Sequence, residues 1–431
     1  LDQQEFGPKQ KPPPFPYTRE VYAKEKVVKA IEKQFRDEEY RATRSTGGKI
    51  LDTASTFGNL PKTLLTIGDV SALGRQGFHG VVTHSVLSAR AAHDMIRSIS
   101  ERGWANVEAE IKAHPKFDEA KRNGVEFTGV DKADPHLSKH EEGYLGGSAI
   151  DAIARGRFNP LRLLKGVKDV SERTFVSFLD SQRMGIYAHQ AEAIKSMNLT
   201  PEQTKASLKA IAHLVNISSG RGNLGVRGNQ AAPILNMAMF SPRLVASRVQ
   251  LLNKMLNPVA MARTPKGARK LLIIDNVKFL GFTAMTLGLL KASGIADVNL
   301  DPDDSDFLKI KVGNTRFDTL AGLQQPMRFI INEARAMTGG ETYAGKDKGT
   351  MLADFARSKA SPEAGYIVDY YEGKNRLTGK KFEAGTDALN LITPLPVQDF
   401  REAIKVDGAL RGSIEAFPSL LGIGTQTYKG A

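Results

Sequence analysis

Apolar positions along this chain recur mostly at three- and four-residue intervals, the spacing that gathers side chains on one face of an α-helix. Between Ser148 and Leu199 the strings Asp151-Ala-Ile-Ala and Val176-Ser-Phe-Leu carry such a stripe, and the next helix is predicted from Thr200 to about Ile217. Thr200-Pro201-Glu202-Gln203 is a well-formed start signal: a Thr N-cap, proline at the first helical position where no N–H is needed, and glutamine at the third. Phe240-Ser241-Pro242-Arg243 predicts another start with Ser241 as cap, and further helices follow to about Lys291; Leu60 to Arg122 reads as helices broken at Gly68, Gly77 to Gly80 and Gly103. Strict alternation replaces this period once. Phe307-Leu-Lys-Ile-Lys-Val312 and Thr315-Arg-Phe-Asp-Thr-Leu320 flank Gly313-Asn314, whose residues supply positive φ, and together they predict a β-hairpin over about 307–320.

The first residues follow neither period. Pro12, Pro13, Pro14 and Pro16 exclude a helix from Lys9 to Pro16 and predict an extended, polyproline-like arm. A long helix is predicted after it, capped by Thr18 and running in mixed charge through Arg44, then a polar loop from Ser45 to Gly58. Asn123 to Gly147 and Gly339 to Gly349 are also loop-rich. The fold class expected is therefore mainly α: a multi-helix body with one small hairpin and a proline-rich N-terminal arm. Its predicted divisions are 1–58 (arm and long helix), 59–145 (helical), 146–300 (basic and helical) and 301–431 (hairpin and C-terminal helices).

Composition sharpens this picture in two places. The 431 residues contain no cysteine, which removes disulfides, thiolate metal sites and cysteine nucleophiles from consideration and leaves the redox compartment open. The net charge is +13, and it is localised: from Gln203 to Ile274 there is no aspartate or glutamate, yet there are eleven lysines and arginines. A concentrated field of this kind attracts a polyanion such as DNA, RNA or an anionic membrane. The competing reading is a solvated helix face, some of whose charged side chains cover core. Candidate nucleic-acid-binding residues are Arg221, Arg227, Arg243, Arg248, Arg263, Lys266, Arg269 and Lys270. The longest apolar run, Phe279 to Leu290, falls short of the roughly 20 residues that span a bilayer. It is expected as a buried core helix, with a membrane-seeking segment as the alternative because lysines flank it. The chain begins at Leu1 with a polar, proline-rich stretch and no secretory signal, as a processed product or a portion of a longer protein would.

No motif supplies convincing chemistry. Gly220-Arg221-Gly222-Asn223-Leu224-Gly225 matches G-x-G-x-x-G, but a dinucleotide fingerprint follows a strand and opens a helix, and here the preceding residues read as helical. His136 and His140 share the spacing of a zinc pair without an identifiable third ligand. Asp301 to Asp306 resembles a calcium loop but has Asp306 where the sixth-position glycine belongs and Val312 where the final glutamate belongs. No cofactor, metal or catalytic residue is predicted.

Several strings together resemble the large polyvalent-protein-associated module of bacteriophages, also found in internal virion proteins of short-tailed phages. They are Gly68-Asp-Val-Ser-Ala-Leu-Gly-Arg-Gln-Gly77, Ser219-Gly-Arg-Gly222, Phe240-Ser-Pro-Arg243, Ser305-Asp-Phe307 with Lys309-Ile-Lys-Val-Gly-Asn-Thr-Arg-Phe-Asp318, and Gly322-Leu-Gln-Gln325. The resemblance covers about Leu60 to Gly424, with one departure at Leu308, where glycine is expected. It implies a non-enzymatic structural protein of the internal or ejection class, in the virion interior or on the portal and tail axis, and at the host cell envelope after infection. Its implied partners are copies of itself, portal or other internal virion proteins, DNA, and the host membrane after ejection. Two alternatives stay open: a cytoplasmic nucleic-acid-binding accessory protein of phage origin, and a non-catalytic module of a larger phage enzyme. An enzyme built on the glycine-rich loop is a further rival.

Overall fold

The structure is a computed structural model, and it describes residues 9–10, 21–22, 65, 72–129, 161–225, 235, 238–320, 322–337, 353, 355–374 and 381–428. The chain divides into two units, Leu1–Ser55 and Thr56–Ala431. In the first, β1 (Lys9–Gln10) pairs antiparallel with β2 (Val21–Tyr22), Lys9 facing Tyr22 and Gln10 facing Val21. The helix predicted to begin at Thr18 is therefore not present at Val21–Tyr22, where backbone pairing across the proline-rich segment takes its place. The remainder of that predicted helix and the loop from Ser45 to Gly58 lie outside the described residues.

The second unit is mainly helical, as its periodicity predicts. It opens with α1 (Phe78–Thr83), α2 (Ser85–Arg97), α3 (Glu101–Ala113) and α4 (Phe117–Asn123). A long α5 (Leu161–Lys195) leads to α6 (Pro201–Ser218), then α7 (Pro242–Leu256), α8 (Pro258–Ala262) and α9 (Lys266–Ala292). The start of α6 carries the expected reciprocal cap: Gln203 N–H donates to Thr200 Oγ1 at 3.2 Å and Thr200 N–H donates to Gln203 Oε1 at 3.1 Å. Helix α7 begins where predicted, at Pro242, but Ser241 makes no side-chain capping bond.

Helix α5 is the axis of the main core. Its Met184, Ile186, Tyr187, Ala191 and Ile194 pack with Val107 and Ile111 of α3, Val125 and Phe127 of the loop after α4, and Leu208, Ile211 and Val215 of α6. The stretches 59–145 and 146–300 thus share one hydrophobic core. Inside it sits a buried ion pair, Arg183 Nη1 to Asp180 Oδ1 at 3.0 Å. Arg183 also donates from Nε to Ser219 Oγ at 2.8 Å and from Nη2 to Ser219 O at 3.0 Å. Asp180 accepts from Thr128 N at 2.9 Å and Gly129 N at 2.8 Å. Burial pushes the Asp180 carboxyl up, and Arg183 opposes it. This one network ties the 126–129 loop to the end of α6.

The hairpin forms inside the predicted span. Strands β3 (Asp297–Val298), β4 (Ile310–Val312), β5 (Thr315–Asp318) and β6 (Gly424–Thr427) make an antiparallel sheet in that order. Val312 faces Thr315 across a two-residue turn. Gly313 has φ +57 and Asn314 is not in positive φ, the sign pattern of a type II′ turn, so only the glycine uses the left-handed region. The remaining helices are α10 (Gln324–Met337), α11 (Pro362–Glu372), α12 (Ala384–Ile392), α13 (Leu395–Asp407) and α14 (Ala409–Leu420); α13 and α14 pack on β6, and α12 packs on α11. Leu308, the departure from glycine noted above, has φ +58 and is the one non-glycine among the described residues in the left-handed region. Its side chain packs between the Leu272/Phe279/Leu320 cluster and the Leu287/Val298/Ile310 cluster.

Candidate functional site

The candidate basic residues fall into two groups. Arg221 is buried at 4% exposure and donates from Nη2 to Thr128 Oγ1 at 2.5 Å, with Asp180 nearby. Arg243 is ion-paired with Glu126 at 2.6 Å. Arg248, also 4% exposed, donates from Nη2 to the Arg75 carbonyl, and burial lowers its guanidinium to about 10. These three hold the fold, and the acids around Arg221 and Arg243 come from outside the acid-free window. Arg227 lies outside the described residues. The other four meet at one place, the end of α8 and the first turns of α9: Arg263, Lys266 and Lys270 are exposed and Arg269 is half-buried.

The first turn of α9 carries no acidic residue. Cations at a helix N-terminus oppose the macrodipole, typically at a cost of 0.3–1 kcal/mol each, so Lys266, Arg269 and Lys270 do not serve the helix itself. An anionic surface docked there would offset that cost. Exposed Lys205 and Lys209 lie on the neighbouring α6, which approaches so closely that a Cβ at Gly267 would stand 2.9 Å from Ser207 Oγ.

Beyond its basic end α9 is apolar nearly all round, and here the expected core helix is corrected. A narrow stripe returning every three or four residues, Leu272, Asn276, Phe279, Thr283 and Leu287 among it, faces the body. Phe279 stacks on His79 with ring centroids 5.1 Å apart, and burial lowers the His79 imidazole to about 4, so the ring is neutral. Asp275 accepts from Gln190 Nε2 at 2.8 Å and lies 3.3 Å from His84 Nε2, while Lys278 Nζ donates to the Thr83 carbonyl at 3.1 Å. The rest of the helix is open. Val277 is 67% exposed, Met285 59% and Leu289 63%, with Ile273, Ile274, Leu280 and Phe282 also exposed. Among the described residues nothing lies within 4 Å of where a Cβ would stand at Gly281 or Gly288. A helix hydrophobic on all sides is ordinarily buried on all sides or in contact with lipid. With 27 residues and a mean hydropathy of 1.4 in its most apolar window, α9 is long and apolar enough to cross a membrane, yet only 28% of that window is buried. Sequence periodicity missed this because both faces read as core. The available signal was the absence of any polar face between Val277 and Leu290 apart from Lys278 and two threonines.

The other candidates resolve into packing. Gly220 and Gly225 adopt φ +87 and +71, and Gly222 lets its loop meet the α7 backbone: its N–H donates to Arg243 O at 3.1 Å, and a Cβ there would stand 2.3 Å from Ser247 N. In the Asp301–Asp306 turn, Asp303 N–H donates to Asp301 Oδ1 at 2.9 Å and Asp306 N–H to Asp304 Oδ1 at 2.8 Å. Among the described residues no group of three or more His, Asp or Glu side chains is placed to hold a metal ion. His136 and His140 lie outside them.

Comparison with family models, curated proteins and solved structures gives no match to this chain.

Proposed function

We propose that this chain is a structural protein of the bacteriophage virion interior, carried with the genome, whose α9 meets an anionic membrane surface during delivery. The observation that carries this reading is the pairing, on one helix, of a basic and acid-free N-terminal end with a long exposed apolar face. Charge complementarity favours the bilayer as the occupant of that face. Basic residues near an anionic bilayer contribute about 1 kcal/mol each, so Arg263, Lys266, Arg269 and Lys270 together supply about 4 kcal/mol, roughly a thousandfold in partition. The apolar flank then buries at the headgroup boundary. Asp275, held on the body side by Gln190 and His84, favours a helix lying on the interface over one crossing it in this fold. The strings resembling the phage module supply the virion context, and copies of the same chain or portal proteins are the partners that context implies.

DNA is the second reading, favoured by the same four residues. Their reversal to glutamate would weaken duplex binding and flatten its salt dependence if phosphates are what they meet. Mass spectrometry of purified particles before and after genome release tests the delivery role. Presence before and loss after supports an ejected protein; retention points to a fixed portal or tail component, and absence from both refutes the virion assignment.

A further inference from the structure

Residues from three of the strings quoted above, Arg75, Lys309 to Asp318 and Gln324 to Gln325, converge with residues as distant as Gln426 on one cavity of about 150 Å³ between the β-sheet, the start of α10 and α13. That is several times the room one water needs. Arg75, Lys309 and Arg316 line it, facing Asp318 and Asp399. Lys309 and Arg316 share a single carboxylate: Lys309 Nζ is 3.1 Å from Asp306 Oδ1 and Arg316 Nε is 2.9 Å from Asp306 Oδ2. Behind the wall, Arg248 and Lys359 both act electrostatically on Asp318. The buried Arg248 Nη1 has no hydrogen-bond partner among the described residues. Glu402 acts on Asp399 from outside, so five cations stand around four carboxylates in a poorly solvated region, and uncompensated buried charge is costly.

The neutral side chains lean the same way. Gln325 Oε1 accepts from Lys359, and Gln426 Oε1 accepts from Lys309 at 2.9 Å, so each amide offers the cavity its NH2 donor. Burial pushes up two of these carboxyls, Asp318 and Asp399, the latter to about 6 with the Thr425 and Ser419 hydroxyls beside it. What the wall lacks is an acceptor-rich anion.

We infer that this cavity binds a phosphate-class oxyanion, held by Arg75, Lys309 and Arg316 with amide donors from Gln325 and Gln426. Planar guanidinium forks match such an anion with paired hydrogen bonds. The site is independent of the membrane reading, since α9 contributes none of its lining.

The test is the melting temperature in inorganic phosphate against chloride at equal ionic strength, with Arg75→Gln as the disabling variant. That substitution leaves the Arg75 carbonyl, which Arg248 uses, in place. Phosphate is expected to raise the melting point of the native chain by a few degrees, as ligand linkage requires, and to leave Arg75→Gln unmoved. A variant with Arg263, Lys266, Arg269 and Lys270 all changed to Gln is expected to keep the full shift. No shift in the native chain overturns the site and leaves an internal ion-pair network; a shift lost in the four-residue variant and kept in Arg75→Gln overturns it by placing the phosphate on α9. If Arg75→Gln fails to fold, phosphorus NMR line broadening of phosphate by the native chain decides, with broadening expected and its absence contrary. A mononucleotide and a 5′-phosphorylated oligonucleotide, each paired with its dephosphorylated form, distinguish free phosphate from a strand end: a shift with the phosphorylated member alone supports the site, and equal shifts with both members count against it.

Discussion

Leu308 offers the most discriminating mutational test of the fold. With φ +58 it occupies the left-handed region, which costs a non-glycine residue roughly 1–2 kcal/mol. It is tolerated because the half-buried side chain bridges two apolar clusters and the Leu308 N–H donates to Asn299 O at 2.6 Å. Leu308→Ala removes three carbons at about 0.8 kcal/mol for each one fully buried and keeps the backbone strain; with half burial the loss is about 1–1.5 kcal/mol. Leu308→Gly loses slightly more packing, relieves the strain, and adds about 0.4–1 kcal/mol of unfolded-state entropy. The balance puts Leu308→Gly above Leu308→Ala by about 0.5 kcal/mol, an inversion of the usual order. Val312, with ordinary φ on β4, is the control, where Val312→Ala should be the more stable of its pair. Urea unfolding monitored by far-UV circular dichroism reads both pairs. If Leu308→Ala proves more stable than Leu308→Gly by the margin seen at Val312, the strain assignment is wrong. The same conformation accounts for the glycine expected at this position from the hairpin's resemblance.

Three further outcomes are expected. Arg183→Met leaves Asp180 buried without its partner and should cost about 3–5 kcal/mol in chemical denaturation, with part of the loss recovered in the Arg183→Met/Asp180→Leu double variant. Burial lowers the Lys359 ammonium from 10.5 to about 8, so between pH 8 and 10 the unfolded chain binds more protons and stability should rise with pH. Allowing for partial exposure the gain is about 1–2 kcal/mol; Lys359→Met should flatten the rise, and an equal rise in that variant contradicts the assignment. The window closes near pH 10, where Tyr187 and Tyr428, both raised by burial, begin to act in the opposite direction. Changing Arg263, Lys266, Arg269 and Lys270 to Gln should lower affinity for anionic vesicles at low salt by up to about a thousandfold in a sedimentation assay, while the melting temperature holds or rises because cations opposed to the α9 dipole are gone.

Features fixed by neighbours in sequence were legible, and features fixed by distant neighbours were not. The α6 start could be read because Thr200 and Gln203 cap each other within a single turn, and the hairpin because Gly313 permits its two-residue turn. The fate of the basic window was set elsewhere: Arg243 is neutralised by Glu126, 117 positions away, and Arg248 is withdrawn from the surface by burial and its contact with the Arg75 carbonyl. Charge density along the chain therefore overstated charge density on the surface, and four of the eight candidates remain as a cluster at α9. Helical periodicity on α9 gave the element but not its environment, since an apolar stripe specifies what a helix can bury and not whether the body has enough surface to cover it. At Val21–Tyr22 local helix signals yielded to pairing with Lys9–Gln10, a competition that no window of one helical turn contains.

The central claim, that α9 meets lipid, is tested most directly by vesicle flotation of the native chain beside a Val277→Asp/Met285→Asp variant. Both side chains are mostly exposed, at 67% and 59%, so the substitutions should leave the melting temperature within about a degree. The native chain should float with anionic vesicles and weakly with zwitterionic ones, and the variant should stay at the bottom of the gradient with both. Flotation of a folded variant to the same extent as the native chain would contradict the claim.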